Sequence, residues 1–414
     1  MSLDSVPIWK ELRDDLEWYF QVSTNRKPAK YLIADRVPVD FDEGEPPERL
    51  WERFDRAEQE FLSLWKDVKE NDLDIVKLEQ PQRSLLDLLV AIAQKHLKRC
   101  DFCEWKCKVD RTRPTLLGAC QLDSTTRVAS YFHHHGEELV FRGVMGSGTI
   151  FFTSCNMRCA FCQNSDISRD RFNGEVVTPR DLAFMMAKLR LEGAHNINLV
   201  GGEPTPHMHT ILAAIRELAR RGYSVTPDNW EAVVKVNDDI FIYPKSLKFA
   251  DYKGLLNVPM LWNSNFYMSA PFTRLLRVVI DIWLPDFKFG NDKCAIRLAR
   301  TPFYVRTVTR NLKMVYDWGE NMIIRHLVMP NHVEDDTKPV LEWIAKNTPN
   351  VWVNIMDQYR PEAYADPNSP LFDPRYKDIA RRPTREEIEE AYRYARSLGI
   401  KFDLVSLERR LVGV

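Results

Sequence analysis

The sequence predicts an α/β fold built on a parallel, barrel-like sheet and preceded by a helical extension. Two observations carry this. From Gly146 onward, short apolar, β-branched runs alternate with amphipathic stretches, and most apolar runs end in polar residues. Before about residue 98 the chain is instead highly charged, with apolar residues recurring at helical spacing. In a barrel the strand C-termini share one face, so residues distant in sequence converge there. The expected division is residues 1–98 as a helical N-terminal extension, 99–145 as a cysteine-rich segment with an auxiliary metal site, and 146–414 as the barrel, with an insertion near 226–257.

In the extension, Leu12, Leu16, Tyr19 and Phe20 sit at helical spacing, as do Leu50, Phe54, Phe61 and Leu64. RSLLDLLVAIAQKHL, around Leu85 to Leu97, is amphipathic, whereas VPVDFDEGEPPE, from Val37 to Glu48, reads as a loop. These helices read as a structural cover or as a docking element. In the barrel, Ile150, Phe151 and Phe152 form a short buried strand. Thr178 and Pro179 start a helix that ends near Gly193, and NINLVGG is the next strand. VPMLWNSN, VVIDIWLPDF, MIIRHLVMP, VWVNIM and FDLVS are expected as further strands. Thr384 and Glu387 make a capping box for the last helix, which stops at Gly399.

The chain has 414 residues, 44% of them hydrophobic, and a formal net charge of −1, so a large core is expected and no global attraction to nucleic acid. No apolar run approaches the ~18 residues of a membrane span, and the acidic start is unlike a signal peptide. A cytoplasmic protein is expected. Eight cysteines, seven of them between Cys100 and Cys162, then argue for metal and not for disulfides.

Cys155, Cys159 and Cys162 form C-x3-C-x2-C. Three soft thiolates can hold three corners of a cubane [4Fe–4S] cluster and leave the fourth iron open to a small molecule. A zinc knuckle or three buried thiols are the alternatives. Cys100, Cys103, Cys107 and Cys120 offer four soft ligands, enough for a second iron–sulfur cluster or a structural zinc ion; the absence of metal is the third reading. Between the sets, His133, His134 and His135 point to alternate faces of an extended segment and cannot meet one ion. His135, Glu137 and Glu138 read as surface or hydrogen-bonding residues.

Candidate residues end the later strands. Gly201 and Gly202 permit close backbone approach, and Glu203 is a carboxylate acceptor suited to an ammonium group. Asn263, Ser264 and Asn265 suit polar ligand contacts or a turn. Asp286 and Lys288 alternate, so they share one side of an extended strand. Arg325, His326, Asp357, Gln358 and Tyr359 are candidate chamber walls, with His326 either catalytic or a satisfied buried imidazole. Cys294 reads as a small buried hydrophobe.

The phrases GSGTIFFTSC, CQNSDIS, GAHNINLV, LPDFKFG, IIRHLVMPN and VNIMDQYRP, with Phe161 before Cys162, resemble the radical S-adenosylmethionine (SAM) enzymes. Within them they resemble the pyruvate formate-lyase-activating-enzyme-like, or PflX-like, branch. The resemblance covers roughly residues 98 to 406, although PflX-like proteins often diverge from the Gly201–Glu203 wording present here. It implies a partial (β/α)6-type barrel, a [4Fe–4S] cluster on Cys155, Cys159 and Cys162, and SAM as cofactor. Gly201, Gly202 and Glu203 would then meet the SAM amino group, Asn263, Ser264 and Asn265 its ribose or carboxylate, and Asp286 and Lys288 would sit near SAM and substrate. It also implies reductive SAM cleavage to a 5′-deoxyadenosyl radical, fed by an electron donor such as reduced flavodoxin or ferredoxin. The substrate would be a glycyl site on a partner protein; a small molecule, lipid or other peptide is the alternative. A non-enzymatic electron carrier or zinc-binding module is the reading from another class. The relatives pass almost directly from the helix near Gly222 to VPMLWNSN, so the long segment between reads as a lid, with Trp230, Phe241, Tyr243 and Phe249 as anchors or substrate contacts.

Overall fold

The computed structural model describes residues 10–113, 115–143, 145–220, 231–236, 239–244 and 250–407, with the backbone alone for 231–244. The chain opens with five helices: α1 (Lys10–Asp15), α2 (Glu17–Ser23), α3 (Lys30–Ala34), α4 (Pro47–Glu70) and α5 (Leu85–His96). Pro47 sets the first turn of α4, closing the loop expected from Val37, and Ser84 with Asp87 makes a capping box on α5. Their apolar stripes bury Leu50, Phe54, Phe61 and most of Leu85 to Ala93 in one core that continues into the barrel.

Polar ties fix this cover in place. Lys30 is fully buried, pairs through Nζ with Glu320, and donates its backbone N–H to Asp281 Oδ1 at 3.0 Å. A buried charge of this kind is tolerated only when paired, so α3 is bound to the barrel and cannot slide over it. None of the five helices lines the cavity described below.

The central sheet has six strands in the order β10-β9-β4-β2-β1-β3. Here β1 is Thr126–His134, β2 Ser147–Phe152, β3 Glu175–Val177 and β4 Ile197–Gly201. Two hairpins follow, β5 (Glu231–Val236) with β6 (Asp239–Pro244) and β7 (Asp251–Tyr252) with β8 (Leu255–Leu256), then β9 (Met260–Ser264) and β10 (Ile282–Pro285). β2, β4, β9 and β10 run parallel, and β1 is antiparallel to both its neighbours. β11 (Ile323–Leu327) and β12 (Trp352–Met356) form a parallel pair that joins β10 through bridges at Trp283–Met322 and Asp286–Arg325. Six parallel strands thus curve around one interior without closing, which is the expected partial barrel.

Helices cover the outside, apart from the last, which closes on the interior through Val405 and Ser406. They are α6 (Leu139–Arg142), α7 (Ser165–Arg169), α8 (Pro179–Leu191), α9 (Met208–Arg220), α10 (Ala270–Leu276), α11 (Asp292–Ala299), α12 (Tyr304–Asp317), α13 (Lys338–Asn347), α14 (Arg385–Ser397) and α15 (Asp403–Ser406). The caps expected at Thr178 and Thr384 are both capping boxes. No described helix is long and apolar enough to cross a membrane.

One expected strand is absent. The bridge to β12 is made by Lys401, just ahead of FDLVS, and the segment itself turns into α15, because Phe402 and Val405 are buried at helical spacing while Ser406 Oγ takes the Ile355 N–H at 2.8 Å. A side chain satisfies the donor that a further strand would have used. Of the 226–257 segment, the side chains of Trp230, Phe241, Tyr243 and Phe249 lie outside the described residues.

Candidate active site

A cavity of about 640 Å³ opens inside the barrel, at and below the C-terminal ends of the parallel strands. Cys155, Cys159 and Cys162 form one wall, carried on the loop that leaves β2. Backbone bonds clamp this loop: Arg158 N–H donates to Ala299 O at 3.0 Å and Ala160 N–H to Leu298 O at 2.7 Å, both at the end of α11. Arg158 donates to Cys155 O at 2.7 Å and Arg169 to Cys159 O at 2.6 Å. The Met157 N–H points at Cys155 Sγ, 3.3 Å away. Burial pushes the thiol of Cys155 well up and that of Cys159 to about 12, the latter against the pull of Lys288. Such thiols are protonated at neutral pH until a soft metal displaces the proton.

Gly201 and Gly202 act on this loop. A methyl group at Gly202 would lie 1.9 Å from the Ser154 carbonyl oxygen, and at Gly201, where φ is +116°, 2.3 Å from Phe152 N. The chain's own backbone occupies the space that the glycines leave, so their first duty is to let the cysteine loop cross the end of β4.

Glu203 is 1% exposed and brackets two strand ends. Oε1 accepts from the Thr205 N–H (3.2 Å), Thr205 Oγ1 (2.5 Å) and Ser264 Oγ (2.6 Å), whereas Oε2 accepts from the Asn265 N–H at 2.9 Å. Burial raises its pKa against the pull of these donors. Asn263, Ser264 and Asn265 line the cavity, and Asn265 Nδ2 reaches Asn156 Oδ1 at 2.7 Å and Cys155 Sγ at 3.6 Å. The strand-end polar residues and the cysteine loop are therefore one hydrogen-bonded unit.

Asp286 and Lys288 share a cavity wall and pair with one another. Burial works against the Lys288 charge, but Asp286 and the neighbouring thiol of Cys159 hold it above the ordinary lysine range. His326 is not brought to the cavity. On β11 the alternation turns Arg325 and Leu327 inward and His326 outward, where its ring meets Phe287 O at 2.8 Å and Thr337 Oγ1 at 2.9 Å. Burial lowers its pKa, and it is a satisfied neutral imidazole. Asp357 and Gln358 line the cavity; Tyr359 instead donates to Ile379 O at 2.7 Å.

The cavity floor was not legible as such. Glu137 and Glu138 are not surface residues: Arg325 donates to Glu138 Oε1 at 2.7 Å and Oε2 at 2.5 Å and to Glu137 Oε1 at 2.9 Å. Asn354 adds a bond to Glu138 at 2.7 Å. Burial alone would raise the Glu137 carboxyl, but Arg325 holds it well below the usual carboxylate range. The signal was two adjacent carboxylates beside an apolar run, met by an arginine placed inward on a later strand. Of the three histidines, His134 lines the cavity and His133 faces Met145 O and Glu192. The side chains of the 226–257 segment expected as a lid lie largely outside the described residues.

The second cysteine set packs on the cysteine loop from outside. Ser154 Oγ donates to Cys120 O, Arg158 to Ala119 O at 2.7 Å, and Trp105 Nε1 to Asn156 O at 2.7 Å. Arg111, which sequence reasoning passed over, is 1% exposed and bonds only to carbonyl oxygens and, at 3.9 Å, to Cys100 Sγ. A buried guanidinium without a recorded carboxylate needs an anion, and metal-bound thiolates would supply it. Cys294 lies apart from both sets, beside His332 and Asp336. There the His332 ring donates to Asp336 at 2.7 Å, and Cys294 Sγ is 3.8 Å away.

An uncharacterised protein of Methanocaldococcus jannaschii is 36% identical over 383 residues, which is 91% of this chain and 96% of that protein. Residues 149–255 match the radical SAM superfamily. Among solved structures, a domain of pyruvate-formate lyase-activating enzyme from Bacteroides vulgatus aligns at 13% identity and a TM-score of 0.28, over 35% of this chain and 80% of that one. SuiB of Streptococcus suis bound to S-adenosylmethionine aligns at 12% identity and a TM-score of 0.39, over 60% of this chain and 48% of that one. The chain belongs to one family with the Methanocaldococcus protein and carries a domain of the radical SAM superfamily, the domain that holds the three-cysteine loop and Glu203.

Proposed function

We propose that the protein is a radical SAM enzyme in which Cys155, Cys159 and Cys162 hold a [4Fe–4S] cluster and the Glu203 bracket holds SAM. One observation carries this reading: three thiols, Cys155 buried and Cys159 and Cys162 half-buried, and a hydrogen-bonded Glu203–Ser264–Asn265 bracket face the same 640 Å³ cavity. When bound, the cluster and SAM supply a one-electron cleavage of the sulfonium bond, giving methionine and a 5′-deoxyadenosyl radical that takes hydrogen from substrate. The chain's residues do the rest. Glu203 Oε2 has a single recorded donor, which leaves it a lone pair for the ammonium of SAM. Asn263 and Asn265 offer amides to ribose or carboxylate. Lys288, held charged by its pairing with Asp286, places a cation beside Cys159, nearer in effect than the carboxylate, and offsets thiolate charge. The apolar walls Met157, Phe161 and Leu327 exclude water from the reacting end.

The second cysteine set is read as a further iron–sulfur cluster. What supports it is that the set packs directly on the loop of the first.

For the substrate, the resemblance to activating enzymes points to a glycyl residue on a partner loop. The buried Glu137–Glu138–Arg325 floor favours the second reading, a small polar molecule held by charge. The test of the common core is electron paramagnetic resonance on the reconstituted, anaerobically reduced protein. Adding SAM is expected to shift the g values of the reduced-cluster signal, and Glu203→Gln to raise the SAM concentration needed. A signal indifferent to SAM counts against the reading.

A further inference from the structure

Beside the second cysteine set lies a cationic face with an exposed aromatic ring at its centre. Glu104, next to Cys103, is met by Arg310 at 3.2 Å, Lys106 at 3.4 Å and Arg306 at 3.8 Å. One carboxylate among three cations leaves a positive excess, and the Arg306 and Lys106 side chains are 67% and 48% exposed. Arg306 lies over the ring of Phe303, 4.8 Å from its centroid, and Phe303 is 56% exposed. The backbone displays that ring: Phe303 has φ +54°, in the left-handed region that aromatic residues rarely adopt. Strain of this kind persists where the surroundings impose it and is a pointer to function. From Arg297 to Arg310 the sequence has four arginines and no acidic residue; Arg297 is tied to Asp378, and Arg306 and Arg310 are the two at this face.

The face does not belong to the cavity, because none of these residues lines it. It is instead continuous with both cysteine sets. The Glu104 N–H donates to Tyr267 O at 3.3 Å, and the Tyr267 hydroxyl donates to Pro302 O, beside Phe303, at 2.8 Å. The Trp105 indole donates to Asn156 O, next to Cys155. An apolar anchor inside a ring of one charge suits a protein partner of the opposite charge: the ring orients the encounter and the anchor excludes water.

We propose that this face docks an acidic one-electron carrier protein and is where the reducing electron enters, an inference that rests on the radical SAM reading above. One electron leaves the reduced carrier, which is oxidised, and reduces an iron–sulfur centre of this chain; no covalent bond forms or breaks in the transfer. The experiment uses the full chain, reconstituted anaerobically, and follows bleaching of its iron–sulfur absorbance with reduced flavodoxin and, separately, with dithionite. For Arg306→Glu with Lys106→Glu, reduction by flavodoxin is expected to slow at least about tenfold and to lose its dependence on salt. Reduction by dithionite is expected to be unchanged, which also reports an intact fold, and Arg306→Lys with Lys106→Arg is expected to keep the wild-type rate. Equal flavodoxin rates in the charge-reversed and wild-type proteins would overturn the proposal. So would wild-type self-association that the charge reversal abolishes while flavodoxin reduction is untouched, since the face would then serve a second copy. Failure of dithionite to bleach the wild type would count against the radical SAM reading, and salt-dependent binding of flavodoxin by calorimetry still decides the docking.

Discussion

Cys159→Ala is expected to lower the iron and acid-labile sulfide of the reconstituted protein by the content of one four-iron cluster, while metal at Cys100, Cys103, Cys107 and Cys120 stays. The argument rests on ligand count. A cubane held by three thiolates has an open iron already, and removal of one more ligand leaves roughly half of its corners without protein. Nothing nearby can substitute: the loop is clamped by backbone bonds to α11, and the fourth ligand-type sulfur of the barrel, Cys294, is engaged with Asn291 and His332. The complementary variant Cys103→Ala is expected to lose metal from the second set alone. Iron analysis with visible absorption reads both. Full iron in Cys159→Ala would remove that residue from the cluster.

Gly202→Ala is expected to be the most damaging single-methyl change in the barrel. The added carbon would lie 1.9 Å from Ser154 O and 2.7 Å from Ser154 C, and both are backbone atoms that cannot swing aside. Either β4 or the cysteine loop must move, with a loss of more than about 4 kcal/mol where the fold survives. Gly399→Ala makes the control. Its φ is +70° but nothing lies within 4 Å of the new methyl, so only the left-handed backbone opposes it, at about 1 kcal/mol. Thermal unfolding separates the two, and iron retention against a chelator shows whether the Gly202 variant fails at the cysteine loop.

These contrasts show which parts of the molecule are legible in sequence. Local chemistry reads well: Thr178–Pro179 and Thr384–Glu387 announce their helices because a cap needs only neighbours along the chain. The six parallel strands read from apolar runs, since both their faces are covered. FDLVS misled because Phe402 and Leu404 match a strand's period whereas Phe402 and Val405 match a helix, and only packing against β12 decides. Arg325 and His326 show the limit that strand alternation sets: neighbours on a strand face opposite ways, so only one of them enters the chamber. Glu137, Glu138 and Arg111 were out of reach for another reason. Their roles depend on partners 188, 187 and 95 residues away, and burial of a charge is visible only once those partners are known. The glycines of the Gly-Gly-Glu motif line the cavity, and the close crossing of the cysteine loop is a second demand on them that the motif alone does not show.

The measurement that bears most directly on the central claim is product formation under strict anaerobiosis: the reconstituted, reduced full chain is given SAM, and 5′-deoxyadenosine and methionine are quantified. The account expects both in equal amounts, with none from Cys159→Ala. Tight SAM binding by an intact, reduced cluster without either product, in the presence of reductant and across candidate peptides and small polar molecules, would contradict it.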